Sequence, residues 1–243
     1  MKKILSVMLL AVGIIFCNFG SVQVEAATNA EIAVQKYSEG NQLYNQKNYQ
    51  GAISKYNEAI QLNPNYAEAY CMLGFSHNAL KNHKQGIAYF DKSIELKPDY
   101  FHAYNGRGFA YYFLNNYKQA AYDWSAAIEV GANSNQNLDL ENVYYFRGMC
   151  YQNLKNYKQA IPDFTKAISI NPSNASCYEW RGICFGDGLG MYEQAIKDFS
   201  EAIRINPNDA NAYWERHLCY LNSGYSTEAR LDYQKAIQLG YKQ

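Results

Sequence analysis

A repeat period of 34 residues constrains this chain more than any other feature. The tetrapeptides NPNY, KPDY, NPSN and NPND recur at 63–66, 97–100, 171–174 and 206–209. Pro64 and Pro98 are 34 residues apart, and Pro172 and Pro207 are 35 apart. Self-similarity at such a period is typical of arrays in which one small structural unit stacks on the next. The chain is therefore predicted to be a repeat protein.

Aligning the chain on this period gives six units. They span 33–66, 67–100, 101–134, 141–174, 175–209 and 210–243. An insertion at 135–140 separates the third unit from the fourth, and the fifth unit has one extra residue within 185–192. Both departures fall between apolar segments, where a helical hairpin tolerates a longer connection. Residues 27–32 form a short N-terminal lead-in.

Each unit has the apolar pattern of two amphipathic helices, here named helix A and helix B. Positions are counted from the first residue of each unit, and the extra residue of the fifth unit is left out of the count. Position 8 on helix A is Gly40, Gly74, Gly108, Gly148, Gly182 and, in the last unit, His217. Position 24 on helix B is Tyr56, Phe90, Trp124, Phe164, Phe199 and Tyr233. Glycine within a helix costs about 1 kcal/mol relative to alanine, so its recurrence indicates a packing need. We expect the two helices to approach closely there, with the ring filling the adjacent space.

Small residues at positions 8, 20 and 27, an aromatic ring at position 24 and proline at position 32 in four of six units resemble the tetratricopeptide repeat (TPR) family. The resemblance covers 33–243. It implies an all-α fold, a right-handed α-solenoid of six helix-turn-helix repeats, in which the A helices line a concave groove. It also implies a non-catalytic scaffold that binds a peptide or protein segment in that groove.

Positions 7 and 23 carry residues that vary together from unit to unit. The pairs are Arg107 and Asp123, Arg147 and Asp163, Arg181 and Asp198, Arg216 and Asp232, with Glu39 and Lys55 reversed in the first unit and Leu73 with Tyr89 in the second. The arginines could line a ligand groove, or they could form ion pairs that fix helix A on helix B. We favour the ion pairs, because the two positions change in concert.

Family geometry places positions 2, 5, 9, 12 and 13 on the concave face. The predicted groove residues are Tyr37, Asn41, Tyr44, Phe75, Asn78, His102, Asn105, Phe109, Tyr112, Asn142, Tyr145, Met149, Gln152 and Trp214. This set is rich in aromatic and amide side chains, which suits contacts with a protein or peptide. It contains no lysine or arginine, so the capture of a C-terminal carboxylate known in some TPR proteins is not expected.

No constellation of residues predicts catalysis, a cofactor or a metal site. The four histidines have no metal-ligand spacing, and no CxxC motif occurs. The segment Gly186–Gly190 lacks the preceding strand that a phosphate-binding loop requires, so we interpret it as a lengthened turn. Cys150, Cys177, Cys184 and Cys219 occupy positions that favour small buried residues, whereas Cys71 is expected to be the most exposed thiol. All are expected to be free thiols.

The N-terminus has the pattern of a secretory signal peptide over 1–26. Lys2 and Lys3 precede an apolar segment from Ile4 to Phe16, and Ala26 ends a cleavage sequence with small residues at its −3 and −1 positions. An uncleaved anchor is the alternative. Cleavage would leave 20 basic and 21 acidic residues, since Lys2, Lys3 and Glu25 are lost from 22 of each sign. This balance gives no electrostatic basis for binding nucleic acid, and the mature chain has no predicted membrane span.

The resulting hypothesis is an exported bacterial TPR scaffold, located in the periplasm, on the cell surface or in the medium. The alternative is a self-assembling structural envelope protein. In that case it would associate through its last repeat, because no further helix follows to cover Tyr233, Ile237 and Leu239. An enzyme has no support in the sequence.

Overall fold

A computed structural model describes residues 28–133 and 138–242. The predicted signal peptide, 1–26, and residues 135–137 of the insertion lie outside these residues. The chain divides into two compact units, one ending at Pro98 and one beginning at Asp99. Every regular element in the described ranges is helical.

The N-terminal unit contains four helices. Helix α1 spans residues 28–45 and so begins within the predicted lead-in. It is followed by α2 (Tyr49–Leu62), α3 (Ala67–Ala79) and α4 (His83–Leu96). Helix α3 packs against both α2 and α4.

The C-terminal unit contains eight helices within the described residues. They are α5 (Phe101–Phe113), α6 (Tyr117–Ala132), α7 (Leu140–Asn153), α8 (Tyr157–Ile170), α9 (Ala175–Ile183), α10 (Tyr192–Ile205), α11 (Ala210–Asn222) and α12 (Ser226–Gln238). A π-helical turn, Cys184–Gly188, continues α9. Each helix packs against the next along the chain. Odd-numbered helices are therefore the A helices and even-numbered ones the B helices, which confirms the predicted all-α repeat fold.

The connection from helix A to helix B uses the same backbone conformation in every hairpin. The residue at position 15 has a positive φ: Lys47, Lys81, Asn115, Lys155, Gly190 and Gly224. The next amide closes the end of helix A, as when Asn156 N donates to the carbonyl of Tyr151 at 2.7 Å. Such a left-handed residue with a hydrogen bond back to the helix is a common helix terminator. The turn between the helices is thereby held to a few residues.

The predicted close contact between position 8 and position 24 is confirmed. An added Cβ at Gly148 would lie 3.0 Å from the ring of Phe164, and one at Gly40 would lie 2.5 Å from that of Tyr56. The rings at position 24 in the first five repeats are all at most 1 % exposed. Glycine is thus required because the ring occupies the space that a side chain would need.

The last repeat departs from this arrangement. His217 replaces the glycine, and its Nδ1 lies 2.8 Å from the carbonyl oxygen of Ala229. The ring of Tyr233 lies 5.5 Å from the imidazole instead of over a glycine, and it is 37 % exposed. The larger side chain at position 8 therefore accompanies an outward position of the ring at position 24.

Candidate protein-binding face

The arginines at position 7 form ion pairs within their own repeats, as predicted. Arg147 Nε and Nη2 donate to the two carboxylate oxygens of Asp163 at 2.8 and 2.6 Å. The same two-bond geometry joins Arg107 to Asp123, Arg181 to Asp198 and Arg216 to Asp232. Lys55 and Glu39 form the reversed pair of the first repeat at 3.2 Å. In the second repeat, Leu73 belongs to a buried apolar cluster against which Tyr89 packs.

Three of these arginines also reach the preceding repeat. Their Nη1 atoms donate to a hydroxyl at position 25 of the previous B helix. The bonds are Arg147 to Ser125 at 3.0 Å, Arg181 to Thr165 at 3.0 Å and Arg216 to Ser200 at 2.9 Å. Two bonds within a repeat and one between repeats occupy most of the guanidinium donors. These arginines therefore belong to the scaffold rather than to a ligand site.

In the N-terminal unit, the predicted groove residues lie on α1 and α3, and all five are half-buried. Asn41 accepts a hydrogen bond from the hydroxyl of Tyr56 at 2.8 Å. The ring of Tyr37 lies 5.0 Å from that of Tyr66, and Tyr44 lies 5.3 Å from Tyr49. Phe75 meets Phe90 edge-on at 5.1 Å, and Asn78 lies 3.3 Å from the ring of His83.

In the C-terminal unit, two predicted residues, Phe109 and Tyr145, meet aromatic side chains of the following A helix that were not in the predicted set. Phe109 of α5 lies 4.8 Å from Phe146 of α7, and it also meets Trp124 of α6 edge-on at 5.3 Å. Trp180 of α9 lies near the hydroxyl of Tyr145 on α7. We use the name helix-A face for the surface formed by side chains of the A helices α5, α7, α9 and α11, including Phe109, Tyr145 and Trp214.

The other predicted residues of this unit differ in exposure. Asn105 accepts a hydrogen bond from Trp124 Nε1 at 2.9 Å, and Trp214 stacks on Tyr241 at 4.4 Å. His102 and Asn142 are exposed, and Tyr112 and Gln152 are half-buried. Met149 is only 8 % exposed and packs into the core beside Phe164 and Cys184. Asn105 and Met149 thus serve the packing of the repeats at least as much as any surface.

Sequence reasoning missed two side chains of the helix-A face. Phe113, the last residue of α5, is 60 % exposed. It was left out of the predicted set although it occupies position 13, which family geometry places in the groove. Trp180 lies near Tyr145 from position 6, which family geometry does not place in the groove. The aromatic run from Phe109 to Phe113 signalled a surface of this kind, but it did not indicate which ring would be the most exposed.

Two half-buried glutamates lie on the same A helices. Burial and the nearby carboxylate of Asp209 raise the pKa of Glu179 on α9 to about 7. Burial and Asp187 likewise raise the pKa of Glu215 on α11 to about 7. Neither glutamate has a lysine or arginine within ion-pair distance among the described residues. The charged group that acts on each is another carboxylate, Asp209 for Glu179 and Asp187 for Glu215.

Family profiles match three stretches of the chain. A profile described as tetratricopeptide repeat matches residues 141–174, and one described as TPR repeat matches 40–86 and 189–224. These stretches fall in both units, on the helix pairs described above. The chain is a tetratricopeptide repeat protein. No curated protein matches it significantly in sequence.

Solved structures show the same TPR fold. YrrB, described as a TPR protein with an unusual peptide-binding site, superposes with a TM-score of 0.69 at 22% identity over 76% of this chain and 92% of its own. MamA gives 0.64 at 23% identity, over 74% and 95% respectively. Pseudomonas aeruginosa pilF gives 0.67 at 15% identity, over 88% and 94%. At these identities the likeness concerns the fold alone.

The thiols of this TPR protein are buried. All five cysteines in the described ranges are free and at most 3 % exposed. The expectation that Cys71 is exposed is wrong: it is 1 % exposed, and Tyr37 and Tyr44 of the preceding A helix lie near its thiol. Burial raises the pKa of Cys150, Cys177, Cys184 and Cys219 to about 12. Thiols that stay protonated and covered are poor nucleophiles.

The TPR fold is a scaffold for protein–protein interaction, and TPR proteins are generally non-catalytic. Over 28–133 and 138–242, no helix is both long and apolar enough to cross a bilayer. In the same ranges no three histidine, cysteine, aspartate or glutamate side chains are grouped as a metal site would need.

Proposed function

We propose that this TPR protein binds a segment of another protein along its helix-A face, in the groove predicted from the sequence. The observation that carries the proposal is the exposure of Phe113, 60 %, at the end of a row of aromatic and amide side chains. An exposed large apolar side chain beside adaptable polar groups is typical of a binding surface.

The polar groups of this face also suit a peptide. Gln152 and Asn142 are at least partly exposed and carry both donors and acceptors. Phe109 and Tyr145 are held by neighbouring rings, so they offer a preorganised surface that loses little side-chain entropy on binding. YrrB, which has the same fold, is described as having an unusual peptide-binding site, and this agrees with the proposed function.

Site-specific photocrosslinking in the cells that produce the protein tests the proposal. The variant Phe113→p-benzoylphenylalanine should form an adduct with a partner upon irradiation. Tyr122→p-benzoylphenylalanine is the matched control, because Tyr122 is 66 % exposed but lies on α6, a B helix of the same repeat. A proteomic identification of the adduct would name the partner. Absence of an adduct at 113, or an equal adduct at 122, would count against the helix-A face.

We also propose that the protein is exported, with cleavage after Ala26. The basis is the charged start, the apolar segment and the small residues before the cleavage site. Intact-mass measurement of the protein isolated from the cell envelope or medium should give a chain that begins at Ala27. The variant Ala26→Phe should retain the N-terminal segment. Isolation of the uncut wild-type chain from the cytosol would refute export.

Self-association is a second candidate function, favoured by apolar side chains on the last two helices. Leu221, Leu231 and Ile237 are 52, 55 and 43 % exposed. Large apolar side chains exposed at one end of a repeat array are candidates for contact with a second copy. Light scattering during size-exclusion chromatography should then give a mass that rises with concentration and falls for Leu231→Glu/Ile237→Glu. A constant monomer mass would eliminate this candidate.

A further inference from the structure

We propose that the A–B turns of the first four repeats bind an anionic lipid membrane, with exposed leucines in the headgroup region and lysines against the lipid phosphates. An A–B turn is the connection from helix A to helix B of one repeat. The proposal is independent of peptide binding on the helix-A face. It follows from where this chain, with 22 basic and 22 acidic residues, places its charges and its exposed apolar side chains.

Lysine is concentrated at these A–B turns, and acidic residues are absent from them. The segments that contain the turns, 44–51, 78–85, 112–119 and 152–159, have no aspartate or glutamate. Their lysines are Lys47, Lys81, Lys84, Lys118, Lys155 and Lys158. All of these are exposed, and none has a carboxylate within ion-pair distance among the described residues. The turns therefore present positive charge that the rest of the protein does not neutralise.

The opposite ends of the hairpins lack this excess of positive charge. In the tetrapeptides that connect helix B to the next helix A, 63–66, 97–100 and 171–174, the charged residues are Lys97 and Asp99. Because α3 packs along α2 and α7 packs along α6, the A–B turns of neighbouring hairpins lie at the same end of each unit. Positive charge is thus segregated at one end of the hairpins, although the whole chain is neutral.

Helix stability does not explain three of these lysines. Lys84, Lys118 and Lys158 lie in the first turn of α4, α6 and α8, and none of these helices has an acidic residue there. The helix dipole disfavours a cation at this end of a helix. The same position of the fifth repeat holds Glu193, in the first turn of α10. A residue choice that opposes local stability is typical of a functional surface.

The A–B turns of the second, third and fourth repeats also expose a leucine. Leu80, Leu114 and Leu154 are the C-cap residues of α3, α5 and α7, and they are 37, 39 and 47 % exposed. A lysine follows each leucine within four residues. Apolar side chains that enter the headgroup region and cations beside them together bind anionic membranes. An acidic protein segment would use the lysines without requiring the leucines, so the combination favours a lipid surface.

Sedimentation with lipid vesicles tests the contribution of the lysines. Purified residues 27–243 include every described helix and exclude the apolar N-terminal segment. The vesicles contain phosphatidylcholine alone, or with about one third phosphatidylglycerol as the anionic lipid. The charge variant, which copies Gln50 of the first repeat, is Lys84→Gln/Lys118→Gln/Lys158→Gln. Its control removes three exposed cations from within the B helices α8, α10 and α12: Lys166→Gln/Lys197→Gln/Arg230→Gln.

A second pair of variants tests the contribution of the leucines. The apolar variant is Leu114→Ser/Leu154→Ser. Its control is Tyr122→Ser/Ile170→Ser, which removes exposed apolar side chains from the B helices of the same two repeats. Thermal melts followed by circular dichroism verify that each variant is folded.

Wild type should bind the anionic vesicles and not the neutral ones, with a partition coefficient that falls as salt is added. The charge variant should lower this coefficient by about tenfold or more, because each lysine near an anionic surface contributes about fivefold. The apolar variant should lower it by about threefold or more, since less apolar area enters the headgroup region. Both controls should stay within about twofold of wild type.

Three outcomes would overturn the proposal. The first is equal binding to neutral and anionic vesicles, or binding to neither. The second is an equal loss in the charge variant and its control, which would reflect total charge and not the A–B turns. The third is binding that depends on the lysines alone and is matched on polyglutamate beads, which would assign the turns to an acidic protein partner. None of these outcomes bears on the helix-A face, which crosslinking at position 113 tests.

Discussion

Arg147 donates from Nε and Nη2 to both carboxylate oxygens of Asp163, at 2.8 and 2.6 Å, and thereby joins helix A to helix B of one repeat. Its third nitrogen, Nη1, donates to the hydroxyl of Ser125 in the preceding repeat at 3.0 Å. One side chain thus connects three helices. The same arrangement recurs at Arg181 and Arg216, so it is part of how successive repeats are held together.

Removing Arg147 alone should be strongly destabilising. Arg147→Leu leaves Asp163, which is 3 % exposed, without its cation, and we expect a loss of about 3 kcal/mol or more. Arg147→Leu/Asp163→Tyr reproduces Leu73 and Tyr89 of the second repeat and should lose clearly less. Urea unfolding of the two variants measures the difference. A double variant no more stable than the single one would refute the independent energetic role of the pair.

The bond between repeats should have its own measurable effect. Ser125→Ala removes the acceptor of Arg147 Nη1, and we expect the free energy of unfolding to fall by about 1 kcal/mol. Ser169→Ala is the control, because Ser169 is exposed and bonds only to the carbonyl of Lys166 on its own helix. It should change stability by less than about 0.5 kcal/mol. Equal effects in urea unfolding would argue against coupling through Ser125.

A glycine in the turn after α7 should stabilise the protein. Lys155 has φ 56°, a left-handed conformation that costs a side-chain-bearing residue about 1 kcal/mol. Lys155→Gly should therefore raise the melting temperature by about 2–4 °C for a chain of this length. Lys166→Gly, in the exposed interior of α8, should lower it by a similar amount. A lower melting temperature for Lys155→Gly would show that its side chain contributes more than the backbone costs.

Stability should decrease as pH rises towards neutrality because of Glu179 and Glu215. Their pKa is about 7 in the folded protein against an ordinary value of 4.5, so the folded state holds protons that the unfolded chain has released. This contribution is fully present below about pH 4.5 and is lost as pH rises through about 7. Melting temperatures from about pH 5 to 8 should fall more for wild type than for Glu179→Gln/Glu215→Gln. Parallel curves would contradict the raised pKa values.

The fold could be predicted because the same constraints recur in each repeat. Gly148 and Phe164 are informative together: one leaves the space that the other fills, and sister pairs in the first, second, third and fifth repeats show the same relationship. The pairing of Arg147 with Asp163 could be predicted from the sequence for a related reason. Six copies within one chain act as an internal alignment, so that Leu73 with Tyr89 and Glu39 with Lys55 reveal which positions touch.

The surface was harder to predict, because burial depends on neighbours far away in the sequence. Cys71 occupies a groove position, yet Tyr37 and Tyr44 of the preceding A helix lie near its thiol and it is buried. The sequence pattern favours Phe109 as a partner contact, but Phe146 lies against it, whereas Phe113 is 60 % exposed. Position within a repeat fixes the direction of a side chain and leaves the size of the side chains around it undetermined.

The central claim is that the helix-A face binds a partner segment, and calorimetric titration of the segment crosslinked at position 113 tests it most directly. Phe113→Ala should weaken binding by about tenfold or more, as expected when an aromatic anchor is removed from an interface. Tyr122→Ala, which removes a similarly exposed ring on helix B of the same repeat, should leave the affinity within about twofold of wild type. Unchanged affinity for Phe113→Ala, or a greater loss for Tyr122→Ala, would contradict the claim.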